Sequence, residues 1–131
     1  MASVLIVEDD WDSAEPLVLF LQRKGHNVVC VPNGREALVA LTTSPPDVIL
    51  LDMRMPVMDG VSFLEVLRSY LRWLHLPVII VSAVPGGPML DRAHRFEISK
   101  TFRKSLLNYD ELEEAIEQVV PAARGGRARM N

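Results

Sequence analysis

Short apolar runs punctuate the chain at Val4 to Val7, Val28 to Val31, Val48 to Leu51 and Val78 to Val81. They are rich in Val, Ile and Leu and lack the apolar–polar alternation of a half-exposed strand, so they predict strands buried on both faces. Between them the apolar positions change to a helical spacing. Ala14, Leu17, Val18 and Leu21 form one such stripe, with Ser13 as the expected cap, Pro16 in the first turn and Gly25 as the stop. Asn33-Gly34 turns into a second, Ala37, Leu38 and Leu41, ended by Thr42 to Pro46. A third follows Asp59-Gly60, and its stripe of Phe63, Leu64, Leu67, Leu71 and Leu74 reads as core up to the break at Pro77. Pro85-Gly86-Gly87-Pro88 precedes a short helix with Leu90, Ala93 and Phe96, and Ile98 to Phe102 reads as a less apolar fifth strand. Asn108 with Glu111 is a capping box that opens a last helix carrying Leu112, Ala115, Ile116, Val119 and Val120.

Five strands alternating with five helices predict an α/β fold with a parallel, doubly wound sheet. Right-handed crossovers make the strand order 2-1-3-4-5 the economical solution, a flavodoxin-like arrangement. In such sheets ligands bind beyond the carboxyl ends of the strands, where the order reverses. Here that point lies between the first and third strands, which end in Glu8-Asp9 and Asp52.

At 131 residues, 49% hydrophobic and 24% charged, the chain is expected to be one globular domain. The net charge of -3 hides an asymmetry. Arg124, Arg127 and Arg129 lie near the end, leaving 11 basic against 17 acidic residues, a net -6, in residues 1–121. An acidic body gives no support for nucleic-acid binding, and residues 122–131 read as a flexible Arg/Gly/Ala tail. The single cysteine, Cys30, cannot form an internal disulfide and reads as a small core residue in a reducing compartment. No cleavable leader or spanning apolar stretch is present in the sequence, so a cytoplasmic location, away from membranes, is expected. His26, His75 and His94 lack metal-ligand spacing and read as surface residues, and Trp11 as partly exposed beside the acidic pair.

The stretch PDVILLDMRMPVMDG, Pro46 to Gly60, is a buried strand that delivers one carboxylate to its end and then turns into a helix. One acid at one strand end is ordinary. Glu8, Asp9 and Asp52 together would crowd three carboxylates, which raise one another's pKa unless a cation sits among them. An all-oxygen set points to a hard divalent ion, Mg²⁺. Ser82 ends the fourth strand and Lys104 follows the fifth, so both reach the same rim. A lysine and a hydroxyl there can neutralise and hydrogen-bond an incoming phosphoryl group, with Asp52 as nucleophile.

These residues carry a resemblance. Val7 to Asp10 (VEDD), Leu50 to Gly60 (LLDMRMPVMDG), Val81 to Ala83 (VSA) and Phe102 to Lys104 (FRK) resemble the receiver domain of bacterial two-component response regulators, over residues 1–121. The spacings fit as well, 43 residues from Asp9 to Asp52, 30 to Ser82 and 22 more to Lys104. The resemblance implies a signalling switch rather than an enzyme. Asp52 would be the phosphoacceptor, and Asp9 and Glu8 would bind Mg²⁺, with the Arg54 backbone carbonyl as a further ligand. Ser82 would bond the phosphoryl oxygens and shift, Lys104 would pair with it, and the backbone N–H groups of Met53 and Ala83 would be oxyanion donors. A histidine kinase or histidine phosphotransfer protein would be the donor. Because the chain ends soon after the last helix, output is expected by protein–protein contact through the side formed by the fourth helix, fifth strand and fifth helix.

The chain departs from this family at several places, and Glu97-Ile98 replaces the Gly-Ala usual before the fifth strand. Ser105 stands where the family has a proline after the lysine, so a trans bond is expected. Thr101 stands at the usual aromatic position, and Phe102 next to it should face the other way. These departures, with the Pro-Gly-Gly-Pro loop, leave open a phosphorylation-independent interaction module. A Mg²⁺-dependent aspartyl-phosphate hydrolase is disfavoured by Arg54, which stands where such enzymes carry a second Asp.

Overall fold

The computed structural model describes residues 1–83 and 86–130, with side chains as far as residue 120. The tail expected at 122–131 therefore lies outside the residues described with side chains. The elements run β1 (Ser3–Val7), α1 (Trp11–Arg23), β2 (Asn27–Val31), α2 (Gly34–Thr43), β3 (Val48–Leu51), α3 (Gly60–Leu67), β4 (Val78–Ser82), α4 (Pro88–Ala93), β5 (Lys100–Arg103) and α5 (Tyr109–Met130). Single 3-10 turns cover Leu71–Trp73 and Lys104–Leu106. All strands are parallel, in the order β2-β1-β3-β4-β5. The predicted fold and order are those observed.

Each apolar run feeds both faces of the sheet in turn. Leu5, Val7, Ile49, Leu51, Val78 and Ile80 pack with residues of α2, α3 and α4. Val4, Ile6, Val48, Leu50, Ile79 and Val81 pack with residues of α1 and α5. A central strand of a two-sided sheet has no solvent face, which is why these runs do not alternate with polar residues.

Short polar side chains set the helix starts. The Asn33 side chain accepts from the Glu36 N–H at 2.9 Å, Asp59 from Ser62 at 2.8 Å and Asn108 from Glu111 at 3.1 Å. The start of α1 differs from the expectation. Asp10 is the cap, accepting from the Asp12 N–H and the Ser13 hydroxyl, both at 3.1 Å. The helix thus begins before Ser13, and Pro16 lies inside it.

The expected stripe on the third helix is also corrected. Leu67 is fully buried, but α3 ends there, Leu71 is 89% exposed and Leu74 lies at the surface. Arg68 explains the break, donating to the Trp73 carbonyl at 2.7 Å and to the Glu97 carbonyl at 2.6 Å. This folds the chain back after one more turn, and buried Trp73 fills the place that the leucines would have taken. The fifth strand begins two residues later and ends one residue later than its apolar signal, Lys100–Arg103 in place of Ile98 to Phe102.

His75 and His94 are exposed as expected, but His26 is not a surface residue. Its ring is buried, Nδ1 accepts the Ala2 backbone N–H at 2.9 Å, and Nε2 lies 3.0 Å from Glu113 on α5. Cys30 is partly buried within β2, and burial, then the Glu8 charge, push its thiol up. Among the described residues no helix is long and apolar enough to cross a membrane.

Candidate functional site

The site forms where β1 turns from one neighbour to the other. The Glu8 N–H donates to Val31 of β2 at 2.9 Å, and the Asp52 N–H donates to Val7 of β1 at 3.0 Å. Both acids are therefore held by the last rungs of the ladders, on the two sides of the switch point. Asp9 stands between them on the exposed rim, and carboxylate oxygens of Glu8, Asp9 and Asp52 lie within 4.8 Å of one another. The Asp10 N–H donates back to Glu8 Oε2 at 3.2 Å, so the residue that caps α1 also fixes the acidic loop.

Asp52 and Glu8 are buried, and Ser82 is 1% exposed at the end of β4. Burial first, and the Glu8 charge second, raise the Asp52 carboxyl to about 7; Lys104 and the Arg54 backbone N–H act in the opposite direction. Lys104 reaches in from the turn after β5. Its ammonium bonds Glu8 Oε1 and lies 3.9 Å from Asp52 Oδ2. Burial would lower the lysine, but the Glu8 hydrogen bond and the charges of Asp52, Glu8 and Asp10 outweigh it and hold it above its ordinary value. A cleft of about 380 Å³ opens from these polar groups along Ala14 and Leu17 of α1 towards Leu107 and Tyr109.

The loop after Asp52 is tightly built. Met53 is buried, and its carbonyl accepts from the Gly60 N–H at 3.0 Å. A Cβ on Gly60 would stand 2.7 Å from Met53 Sδ and 2.9 Å from its Cα, so glycine is required there to keep Met53 in place. Val57 sits at φ 73°, a left-handed conformation costly for a β-branched side chain. Arg54 and Ala83 are both exposed, Ala83 one residue beyond Ser82.

The structure thus brings Glu8, Asp9, Asp52, Ser82 and Lys104 to one end of the sheet. The closest partner of Lys104 is Glu8 rather than Asp52, a preference that no spacing could show. Asp10 rather than Ser13 is the cap, and an Asp directly before the first helical residue is the local signal for it. Among the described residues no peptide bond is cis, Lys104–Ser105 included. Thr101 lies opposite Ile80 in the register, on the α4 side, its buried hydroxyl without a hydrogen-bond partner among the described residues, whereas Phe102 joins the α1 and α5 side.

Comparison with known proteins identifies the family and the fold. The transcriptional regulatory protein KdpE of Mycobacterium tuberculosis is 37% identical over 83 residues, which cover 63% of this chain and 35% of KdpE. The chain spans about a third of the length of such curated relatives. Among solved structures, the receiver domain of a signal transduction histidine kinase from Syntrophus aciditrophicus superposes with TM-score 0.84 at 27% identity, covering 93% of this chain and 92% of that one. The chemotaxis protein CheY4 of Vibrio cholerae gives TM-score 0.81 at 26% identity, over 91% and 98%. The profile of the response regulator receiver domain matches residues 4–117, and the chain belongs to this family of two-component signalling domains.

Proposed function

We propose that residues 1–121 act as a phosphoacceptor switch in which Asp52 takes a phosphoryl group from a phosphohistidine of a kinase or phosphotransfer protein. The supporting observation is the convergence of Asp52, two further carboxylates, Ser82 and Lys104 on one rim. An Asp52 oxygen attacks phosphorus, the P–N bond breaks, and its electron pair returns to the imidazole, which takes up a proton. The product is an acyl phosphate whose oxygens lie within reach of the Lys104 ammonium and the Ser82 hydroxyl. The backbone N–H groups of Met53 and Ala83 serve as oxyanion donors.

Three carboxylates packed this closely fit a hard divalent cation. Glu8, Asp9, Asp52 and the Arg54 carbonyl would hold Mg²⁺, which when bound neutralises charge between the acids and the phosphoryl group. Lys104 offsets that charge from the protein side, and it is engaged by Glu8. We place the chain in the cytoplasm, with output by protein contact through α4, β5 and α5 and without nucleic acid.

The test is incubation with a small phosphodonor and Mg²⁺, read by intact mass and by the fluorescence of Trp11, which stands half exposed at the start of α1. One phosphoryl adduct is expected on the wild type and none on Asp52→Asn. Absence of any Mg²⁺-dependent response in the wild type would sink the switch. It would leave the phosphorylation-independent module, which Thr101 under α4 favours.

A further inference from the structure

The two edges of the sheet are guarded differently. β5 carries exposed Lys100 and Arg103 at its ends, and charges on an edge oppose pairing with another strand. β2 reads Asn27-Val28-Val29-Cys30-Val31, with no charge, and among the described residues no strand lies beyond it. The Asn27 N–H donates to the Ala2 carbonyl at 2.8 Å, and the Val31 carbonyl accepts from Glu8 at 2.9 Å. Residues two apart face the same neighbour, so Asn27, Val29 and Val31 turn their backbone groups to β1. Val28 and Cys30 turn theirs to the free edge. Beside them runs an apolar groove of about 340 Å³ between β2 and α2. Its lips are Val29, 55% exposed, and Val39, 57% exposed.

We propose that a second copy of this chain adds to this edge, β2 against β2 and antiparallel, about a two-fold axis through Val29. In that register Val28 of each copy stands opposite Cys30 of the other, and every outward N–H and C=O of Val28 and Cys30 is paired. The neighbouring registers fail. Centring on Val28 sets Cys30 against His26, whose N–H is already given to the Leu21 carbonyl. Centring on Cys30 sets Val28 against Pro32, which has no N–H to give. The strand is therefore complementary to its own inverse in one register, and no charged side chain falls among the five paired positions. The two-fold axis keeps both α2 helices on one face, where they flank the Val29 pair and cover the grooves.

The experiment uses the full chain, by light scattering from micromolar to millimolar concentration. A dimer is expected for the wild type and a monomer for Val29→Lys, a surface change that leaves the fold intact. The Val29 pair has Cα atoms about 4.5 Å apart, within disulfide reach. Val29→Cys in a Cys30→Ser background should therefore cross-link on mild oxidation, whereas native Cys30, opposite Val28, should not. Three outcomes would each overturn the proposal: a wild type that stays monomeric throughout, a dimer that survives Val29→Lys, or cross-linking of the wild type through Cys30 but none in the Val29→Cys variant. A monomer that takes up an unrelated apolar strand peptide would overturn it too.

Discussion

Asp52 is buried beside Glu8, and its protonation follows from that placement. Its carboxyl is raised to about 7 in the folded chain, against about 3.9 when unfolded. Between these values the folded chain holds a proton that the unfolded chain has released. Stability therefore falls as pH rises from about 4 to about 7, and the penalty is fully present above that. Asp52→Asn removes the charge and keeps the shape. It should be more stable than the wild type near pH 8 in urea denaturation, with the advantage fading towards pH 4. A constant difference across that range would show that Asp52 does not carry the effect. A divalent cation held by these acids would compete with the same proton, so Mg²⁺ should raise the unfolding midpoint near pH 8 and much less near pH 5. At a hundredfold excess over Kd the gain is about 2.7 kcal/mol.

At the scale of elements, α3 shows how a stripe of apolar residues can mislead. Leu64, Leu67, Leu71 and Leu74 keep a helical spacing, yet the helix stops at Leu67 because the Arg68 guanidinium holds the Trp73 carbonyl across the next turn and the Glu97 carbonyl ahead of β5. The exposed Leu71 is then free of the core, and Trp73 is in it. Leu67→Ala should cost about 2–5 kcal/mol by leaving a cavity. Leu71→Ala should stay within about 0.5 kcal/mol of the wild type. Equal losses in chemical denaturation would mean that the helix continues through Leu71 after all.

Across the whole molecule, His26 joins the start of β1, the start of β2 and α5. Since Nδ1 accepts the Ala2 N–H, the neutral ring carries its proton on Nε2 and donates it to Glu113. That proton occupies the position a metal would need, so the neighbourhood of His26, Glu113 and Glu117 works as a polar tie. His26→Leu leaves the buried Ala2 N–H unsatisfied and should cost about 1–3 kcal/mol. Phosphoryl uptake by the folded fraction should be unchanged, because the tie lies at the opposite end of the strands from Asp52. Lost uptake at full folding would show that the tie reaches the site.

The fold was legible because it rests on local signals that agree. Apolar runs without alternation, Asx residues before helical stripes, and Gly or Pro after them leave few ways to arrange five strands. The acids at the switch point were legible for the same reason, since a strand's end in sequence is its end in space. Tertiary structure alone decided the rest. The burial of His26 depends on α5 bringing Glu113 across 87 residues of sequence. The choice of Glu8 by Lys104 depends on how the turn after β5 leans over the rim. The end of α3 depends on a carbonyl at Glu97 that Arg68 meets only after the chain has folded back. Each is a contact between distant segments whose geometry is set by packing, and periodicity along one segment carries no information about it.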